Sequence, residues 1–418
     1  MKRRKLILAG AAGTVAALTL RPGDRGSNHK PYFSKLSSAL HEVSQSKPSL
    51  VIDHEVLNDN IATLMRHLGD RFGYRIVAKS LPSIPLLENV MSATGSNRLM
   101  LFHQPFINRV AEELPQADVL LGKPLPVEAA ANFYQQYKGG AFNPQTQLRW
   151  LLDTDSRARQ YTALADQLGM NMPVCIELDV GLHRGGVSND AELLAILDTI
   201  SDAQNLRFDG FMGYEPHIVK VPGNPETYRD RAMSVYAHYV DLARAHLGAA
   251  WPANPVLNAG GSPTYQMYNK GDYPFNELAA GSCLVKPTDF DLPSLEDHRP
   301  GSYIATPVLK REDSLHIPGI DLGPLQSLWD PNRARTFFTY GGYWKAQPES
   351  PAGLSYNGLF GRSTNQEMLN GSTSIDLTPD DWIFLRPTQS EFVFLQFGDI
   401  LVYRDGAIGE RWPVFREA

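Results

Sequence analysis

The sequence predicts an α/β protein: a (β/α)8 barrel of the TIM type followed by a second, mostly β domain. Three observations predict it. Short apolar runs recur at 74–79, 98–102, 118–121, 148–153, 173–179, 206–214, 255–258 and 277–280, with helix-period segments between most of them. The residues able to carry chemistry fall at the carboxyl ends of those runs, the face on which such barrels keep their sites. After about residue 290, Pro, Asp and Gly punctuate short β-rich runs, and no long amphipathic helix follows.

Taken in order, residues 1–27 read as a signal segment. Lys2-Arg-Arg-Lys5 is a positive patch, Leu6 to Leu20 is apolar and small, and Arg3-Arg4 before that stretch is twin-arginine-like. The expectation is an exported, periplasmic protein. The stretch is short for a membrane span, and no clear small-residue cleavage site precedes Arg21, so an uncleaved anchor stays open. Residues 28–53 form a linker, a short helix from Phe33 to Val43 and the strand Ser49–Asp53. Residues 54–290 form the barrel, opening with an amphipathic helix from Asn58 to Leu68. Its later helices fall at Leu86–Ala93, Val127–Tyr137, Ser156–Leu168, Ala191–Ile200 and Thr227–Leu247. The span of roughly 210 residues from the first to the last run suits one closed barrel. An open doubly wound sheet ranks lower, because the first βα turn, Lys79-Ser-Leu-Pro, lacks a glycine fingerprint. Residues 291–418 form the β-rich domain, with strands expected at Ser302–Val308, Arg335–Tyr343, Trp382–Leu385, Phe392–Phe397 and Ile400–Arg404.

Composition excludes several classes. With 43% hydrophobic and 20% charged residues and a net charge of −6, the balance is that of an ordinary globular protein. No basic stripe with interleaved aromatics points to nucleic acid. The two cysteines, Cys175 and Cys283, make neither a disulfide framework nor a metal knuckle and read as small core residues.

Lys79 closes the run that begins at Tyr74. An amine at the carboxyl end of a buried strand, shielded from water, is placed to attack an aldehyde. Three later segments end strands on the same face: Glu177-Leu-Asp-Val-Gly-Leu-His-Arg-Gly-Gly-Val187, Gly213-Tyr-Glu-Pro-His217 and Asn258-Ala-Gly-Gly-Ser-Pro-Thr-Tyr265. Gly260, Gly261 and Ser262 form a turn whose N–H groups can cradle a phosphate, with Ala279-Ala-Gly-Ser282 adding donors. Arg184, held among glycines, can approach an anionic oxygen; His183 beside it reads as a bystander. Tyr214 and His217 are either site residues or core residues with one hydrogen bond each, and Asp179 and Glu215 can tune their neighbours. A lysine trap, a phosphate cup and polar groups around one mouth fit pyridoxal 5′-phosphate.

These segments, with Asn276–Ser282, resemble the fold-type III pyridoxal-phosphate enzymes. Within them the chain is most similar to the D-threonine aldolase/D-serine dehydratase-like family, whose barrel is an alanine racemase-type N-terminal domain. The resemblance covers roughly residues 50–290, and its most specific piece is the string from Glu177 to Val187. It implies that Lys79 carries the cofactor as an imine, that Arg184 borders the phenolic oxygen and Tyr214 the ring nitrogen, and that Gly260, Gly261 and Ser262 contact the phosphate. It also implies a small-molecule amino acid substrate and allows a homodimer. Tyr214-Glu-Pro-His217 stands where relatives show Tyr-x-Gly-His.

Metal-dependent relatives carry a His-x-Cys or His-x-Asp pair after a proline near the C-terminus. Here Pro387-Thr-Gln-Ser-Glu391 offers Gln389 and Glu391 instead, and an amide oxygen is a poor transition-metal donor, so the metal site is expected to be absent or much weakened. The resulting expectation is a lyase acting on D-amino acids, particularly those with a β-hydroxyl, with Lys79 as the base at Cα and His217 as a second catalytic group. A racemase and a non-catalytic pyridoxal-phosphate-binding protein are the alternatives.

Overall fold

A computed structural model describes residues 21–313 and 329–416. The segment expected to direct export lies, up to residue 20, outside the described residues. Among the described residues no helix is long and apolar enough to cross a membrane. The chain divides into two compact units, Ile52–Gly301 with Gln389–Ile400 and Arg411–Ala418, and Met1–Val51 with Ser302–Thr388 and Leu401–Glu410.

The first unit is the predicted barrel. Its strands are β2 (Gly73–Val77), β3 (Arg98–Leu101), β4 (Asp118–Leu121), β5 (Leu148–Leu152), β6 (Met172–Leu178), β7 (Leu206–Gly213), β8 (Val256–Ala259) and β9 (Glu277–Ala280). All pair in parallel with their sequence neighbours, and β9 closes on β2 through Gly73↔Glu277 to Ile76↔Ala280. Strands covered on both sides must be apolar on both sides, which is why they read as runs and not as alternations. Connecting helices start where a side chain takes an orphan N–H: Asp53 from Val56, Thr154 from Arg157, Asn189 from Glu192 and Asn224 from Glu226. Each such cap contributes about 1 kcal/mol.

Period two governs what points inward. Residues at the amino ends of the strands carry charge. Arg75, fully buried, reaches Glu277 (2.9 Å) and Asp118 (2.8 Å) and donates to the carbonyls of Leu99 and Asp118. Arg149 pairs with Asp118 (2.7 Å) and Asp209 (2.5 Å). Burial works against a charge on Asp118, but Arg75 and Arg149 outweigh it and hold its carboxyl below the usual range. Two residues further along come Val77, Met100 and Ala279, and two further again Lys79, Phe102 and Gly281, all of which line the same cavity.

The second unit holds a nine-stranded sheet. Its strands are β10 (Ser302–Glu312), β11 (Arg335–Tyr340), β12 (Ala346–Ser350), β13 (Ser355–Tyr356), β14 (Gln366–Gly371), β15 (Trp382–Pro387), β16 (Ile400–Arg404) and β17 (Ala407–Trp412), with β1 (Ser49–Asp53) between β10 and β16. The pairs that β10 to β15 make with one another are antiparallel throughout. The helix Pro31–Glu42 packs Phe33, Leu36 and Leu40 against Tyr303, Trp382 and Tyr403. Strands β12, β13, β14 and β17 escaped the sequence reading because they are polar or short. The strand expected at Phe392–Phe397 is instead a turn containing one 3-10 stretch, Phe394–Gln396. Val393, Phe394 and Phe397 are the buried residues there, a helical spacing, and Phe392 takes φ +51°.

Candidate active site

Strand β2 ends at Val77, and Lys79 sits in the 3-10 turn Ala78–Ser80 that follows it. Its ammonium lies 4.6 Å from the centre of the Phe102 ring and 2.7 Å from Glu391 Oε1. The side chain keeps 34% of its surface exposed. The amine is therefore ion-paired and partly wet, not the shielded amine the sequence reading expects. One cavity is lined by Lys79, Phe102, Tyr214 and Arg184 together with the turns after β8 and β9.

Those two turns form an anion cup. Ser262 Oγ accepts the N–H groups of Gly281 and Cys283, both at 3.1 Å, so its hydroxyl hydrogen is the one group it has to donate. The N–H groups of Gly261, Ser262 and Ser282 find no acceptor among the described residues. Ser282 Oγ lies 2.9 Å from Ser80 Oγ. Glycine is required by space: a Cβ on Gly281 would stand 2.7 Å from the Val77 carbonyl oxygen, and one on Gly261 2.7 Å from the Tyr214 ring. Gly260 enters differently. Its N–H donates to Glu215 Oε2 (3.2 Å), so it offers room and a φ of +79° but no hydrogen bond to the cavity.

Glu215 is a residue whose part the sequence left open. It is wholly buried and takes, besides Gly260, the hydroxyls of Thr264 (3.0 Å) and Tyr268 (2.9 Å). Burial pushes its carboxyl up, against the pull of those donors. It ties the turn after β7 to the turn after β8 and so shapes the cup.

On the other wall the Arg184 guanidinium stacks 5.0 Å from the Tyr214 ring centre. Burial pushes the Tyr214 phenol up to about 12, with Arg184 working against the rise, so the hydroxyl stays protonated and can donate. His217, half-buried in the outer part of the cavity with Lys79 and Arg184, has an unpartnered Nδ1. Burial lowers its pKa and the neighbouring His183 lowers it further, so the ring stays neutral near pH 7. His183 itself points to solvent and pairs with Asp179 (2.8 Å). Asn258 closes the floor. Its amide donates to Glu277 (2.9 Å), which turns its buried, unpaired oxygen the other way.

Asp179, His183 and Glu215 do not line this cavity, whereas Lys79, Arg184, Tyr214, His217, Gly260, Gly261 and Ser262 all line it or its outer part. Gln389 and Glu391, not assigned a role there, join them: Gln389 donates to Asp289 (2.9 Å) and Glu391 holds Lys79. Among the described residues no group of three or more His, Cys, Asp or Glu side chains is arranged to hold a metal ion.

Residues 52–289 match the model of the alanine racemase N-terminal domain family. The chain belongs to that family. Its members are fold-type III pyridoxal 5′-phosphate enzymes, lyases and racemases among them. Comparison with curated proteins returned no match. Solved structures resemble the chain over most of its length. D-threo-3-hydroxyaspartate dehydratase from Delftia sp. HT23 is 17% identical, with a TM-score of 0.69 over 90% of this chain and 99% of that one. D-threonine aldolase from Filomicrobium marinum is 16% identical, with a TM-score of 0.69 over 88% and 94%. Alanine racemase from Bacillus anthracis is 14% identical, with a TM-score of 0.65 over 88% and 98%. At such identities the likeness is one of fold. The residues present fit the family's cofactor: unpaired N–H groups and a serine hydroxyl suited to a phosphate, an amine suited to an aldehyde and a phenol able to donate line one cavity.

Proposed function

We propose that this chain is a pyridoxal-phosphate-dependent lyase acting on D-amino acids that carry a β-hydroxyl. One observation carries the reading: a single cavity joins the Lys79 amine to a cup of unsatisfied N–H donors. The fold-level likeness to D-threonine aldolase and D-threo-3-hydroxyaspartate dehydratase supports the lyase class and the D configuration.

When bound, the cofactor supplies an electron sink for charge left at the substrate's Cα. Around it, Gly261, Ser262 and Ser282 would hold the phosphate, and Gly260 would leave room for it. Tyr214 would donate to the ring nitrogen, which then acts as an acceptor, and Arg184 would face the phenolic oxygen. Lys79, freed by an incoming amine, is placed as the base that takes the Cα proton.

A racemase is the second reading, favoured by His217. A neutral imidazole with a free nitrogen in the same cavity is a second proton carrier, and racemisation needs two. The deciding experiment loads the protein with cofactor and fixes it with borohydride. Label on Lys79 is expected; label elsewhere ends the reading. The loaded protein is then offered a panel of D- and L-amino acids while keto acids, aldehydes and inverted enantiomers are assayed separately. Inverted enantiomers alone would replace lyase by racemase, and no change in the cofactor's absorbance with any amino acid would leave a binding protein. Export and dimerisation follow as further proposals, tested by cell fractionation of an Arg3→Lys, Arg4→Lys variant and by sedimentation.

A further inference from the structure

The barrel unit folds a distant segment, Gln389–Ile400, onto the mouth of its own cavity. That segment sets a carboxylate against the one amine the chemistry needs. Glu391 Oε1 is 2.7 Å from Lys79 Nζ, and Glu391 lines both the inner and the outer part of the cavity. The other charged groups there are Arg184, Lys220 and Asp289. Asp289 takes a hydrogen bond from Gln389. Glu391 is thus the acid placed at the reacting nitrogen.

We propose that Glu391 is the specificity-determining residue for the substrate's side chain, selecting amino acids whose side chain donates a hydrogen bond or carries a positive charge and rejecting acidic ones. The inference rests on the cofactor reading above. In the free protein the Lys79 ammonium neutralises Glu391. Once the lysine nitrogen is engaged elsewhere, the partly exposed carboxylate is open to a hydrogen bond from the substrate in place of water. A substrate amine that takes the place of the Lys79 nitrogen brings its Cα and first side-chain atoms within reach of Glu391. Its own α-carboxylate cannot sit beside a second carboxylate and is driven toward Arg184 and Lys220. The side chain is then the group left facing Glu391. A hydroxyl, an amide N–H or an ammonium satisfies it; a carboxylate meets like charge. Because Glu391 keeps 40% of its side-chain surface exposed, solvent screens part of that repulsion. The discrimination expected is about tenfold or more, not the several orders a dry pair would give.

The test is a titration of cofactor-loaded protein, read as the amino-acid-induced change in the cofactor's absorbance. D-Asparagine and D-aspartate share a shape and differ in charge. D-Asparagine and D-serine are expected to bind at least about tenfold more tightly than D-aspartate. Glu391→Gln should bring D-asparagine and D-aspartate within about threefold of each other, and Glu391→Lys should reverse their order. Equal affinities in the unaltered protein overturn the inference without any variant, and so does a ratio that Glu391→Gln leaves unchanged. Those outcomes leave the cofactor reading standing if borohydride still fixes the label on Lys79. Failure to label Lys79 at all overturns both.

Discussion

The two ends of one barrel treat polar groups in opposite ways. At the amino end every strong donor and acceptor is used: Arg75 makes five hydrogen bonds while fully buried, and Asp118, Arg149, Asp209 and Glu277 complete the set. At the carboxyl end the N–H groups of Gly261, Ser262 and Ser282, Asn258 Oδ1 and His217 Nδ1 are left without protein partners among the described residues. Satisfying buried polar groups is what a fold does for itself. Leaving them open on a concave surface is destabilising for the free protein and is repaid when a ligand brings the missing partners. Within the barrel, the satisfied end is structural and the open end is the one that lines the cavity.

The comparison breaks most visibly if the open end proves dispensable. Lys79→Ala should abolish borohydride-fixed cofactor, measured by mass spectrometry, and lower turnover at least about 10³-fold. It should shift the urea midpoint little, because Glu391 is half-exposed and tolerates losing a partner. Retention of label on another residue would detach the chemistry from this end. At the closed end, Arg75→Met leaves buried Glu277 with the Asn258 amide and a 3.7 Å contact to Arg98, and takes away one of the two arginines on Asp118. The expected cost is about 3–5 kcal/mol of unfolding free energy. A loss below about 1 kcal/mol would mean that the network is ornament to the barrel.

An intermediate effect is expected where the cup meets the Lys79 turn at the open end. A Cβ on Gly281 stands 2.7 Å from Val77 O, 3.0 Å from Val77 Cβ and 3.2 Å from Ser80 Cβ. Gly281→Ala must therefore push the Ala78–Ser80 turn away from the cup. Cofactor affinity, measured by fluorescence titration, should fall roughly 10- to 100-fold, while the melting temperature of the free protein drops by only a few degrees. Unchanged affinity would place the phosphate somewhere other than this cup.

How much of this was legible in the sequence follows from the physics of each part. The barrel was, because parallel strands buried on both faces must be apolar runs, and their spacing counts the βα units. So was the gathering of Lys79, Arg184, Tyr214, His217 and the Gly260–Ser262 turn around one cavity, because strand ends are where such a fold exposes side chains. The partners were not. Nothing in the order of residues sets Glu391 on Lys79, since that contact depends on the chain returning to the barrel after passing through the sheet of the other unit. Nor could a string of letters show that Glu215 takes the N–H of Gly260. The strand expected at Phe392–Phe397 failed for a related reason: aromatic and branched residues suit a strand, but the three that are buried lie on one side of a turn.

The smallest expected effect sharpens the comparison through two carboxylates. Asp118, at the closed end, is held below its usual range by two arginines, so it stabilises the fold above that range and loses this contribution as pH falls. Glu177, near the open end of β6, is pushed up to about 6 by burial and by Asp153, with Arg184 working against the rise. Its sign is reversed. Between pH 4.5, its ordinary value, and about 6 the folded chain binds the proton that the unfolded chain has lost, so stability falls as pH rises through that window. The full shift corresponds to about 2 kcal/mol, and the partial exposure of Glu177 reduces this to about 1 kcal/mol. Glu177→Gln should therefore raise the urea midpoint at pH 7 and flatten its descent between pH 4.5 and 6, leaving the acid limb set by Asp118 in place. Midpoints that run parallel in the two proteins across that window would show that the strained carboxylate of the open end lies elsewhere, with Glu215, buried beneath the cup, as the next to test by Glu215→Gln.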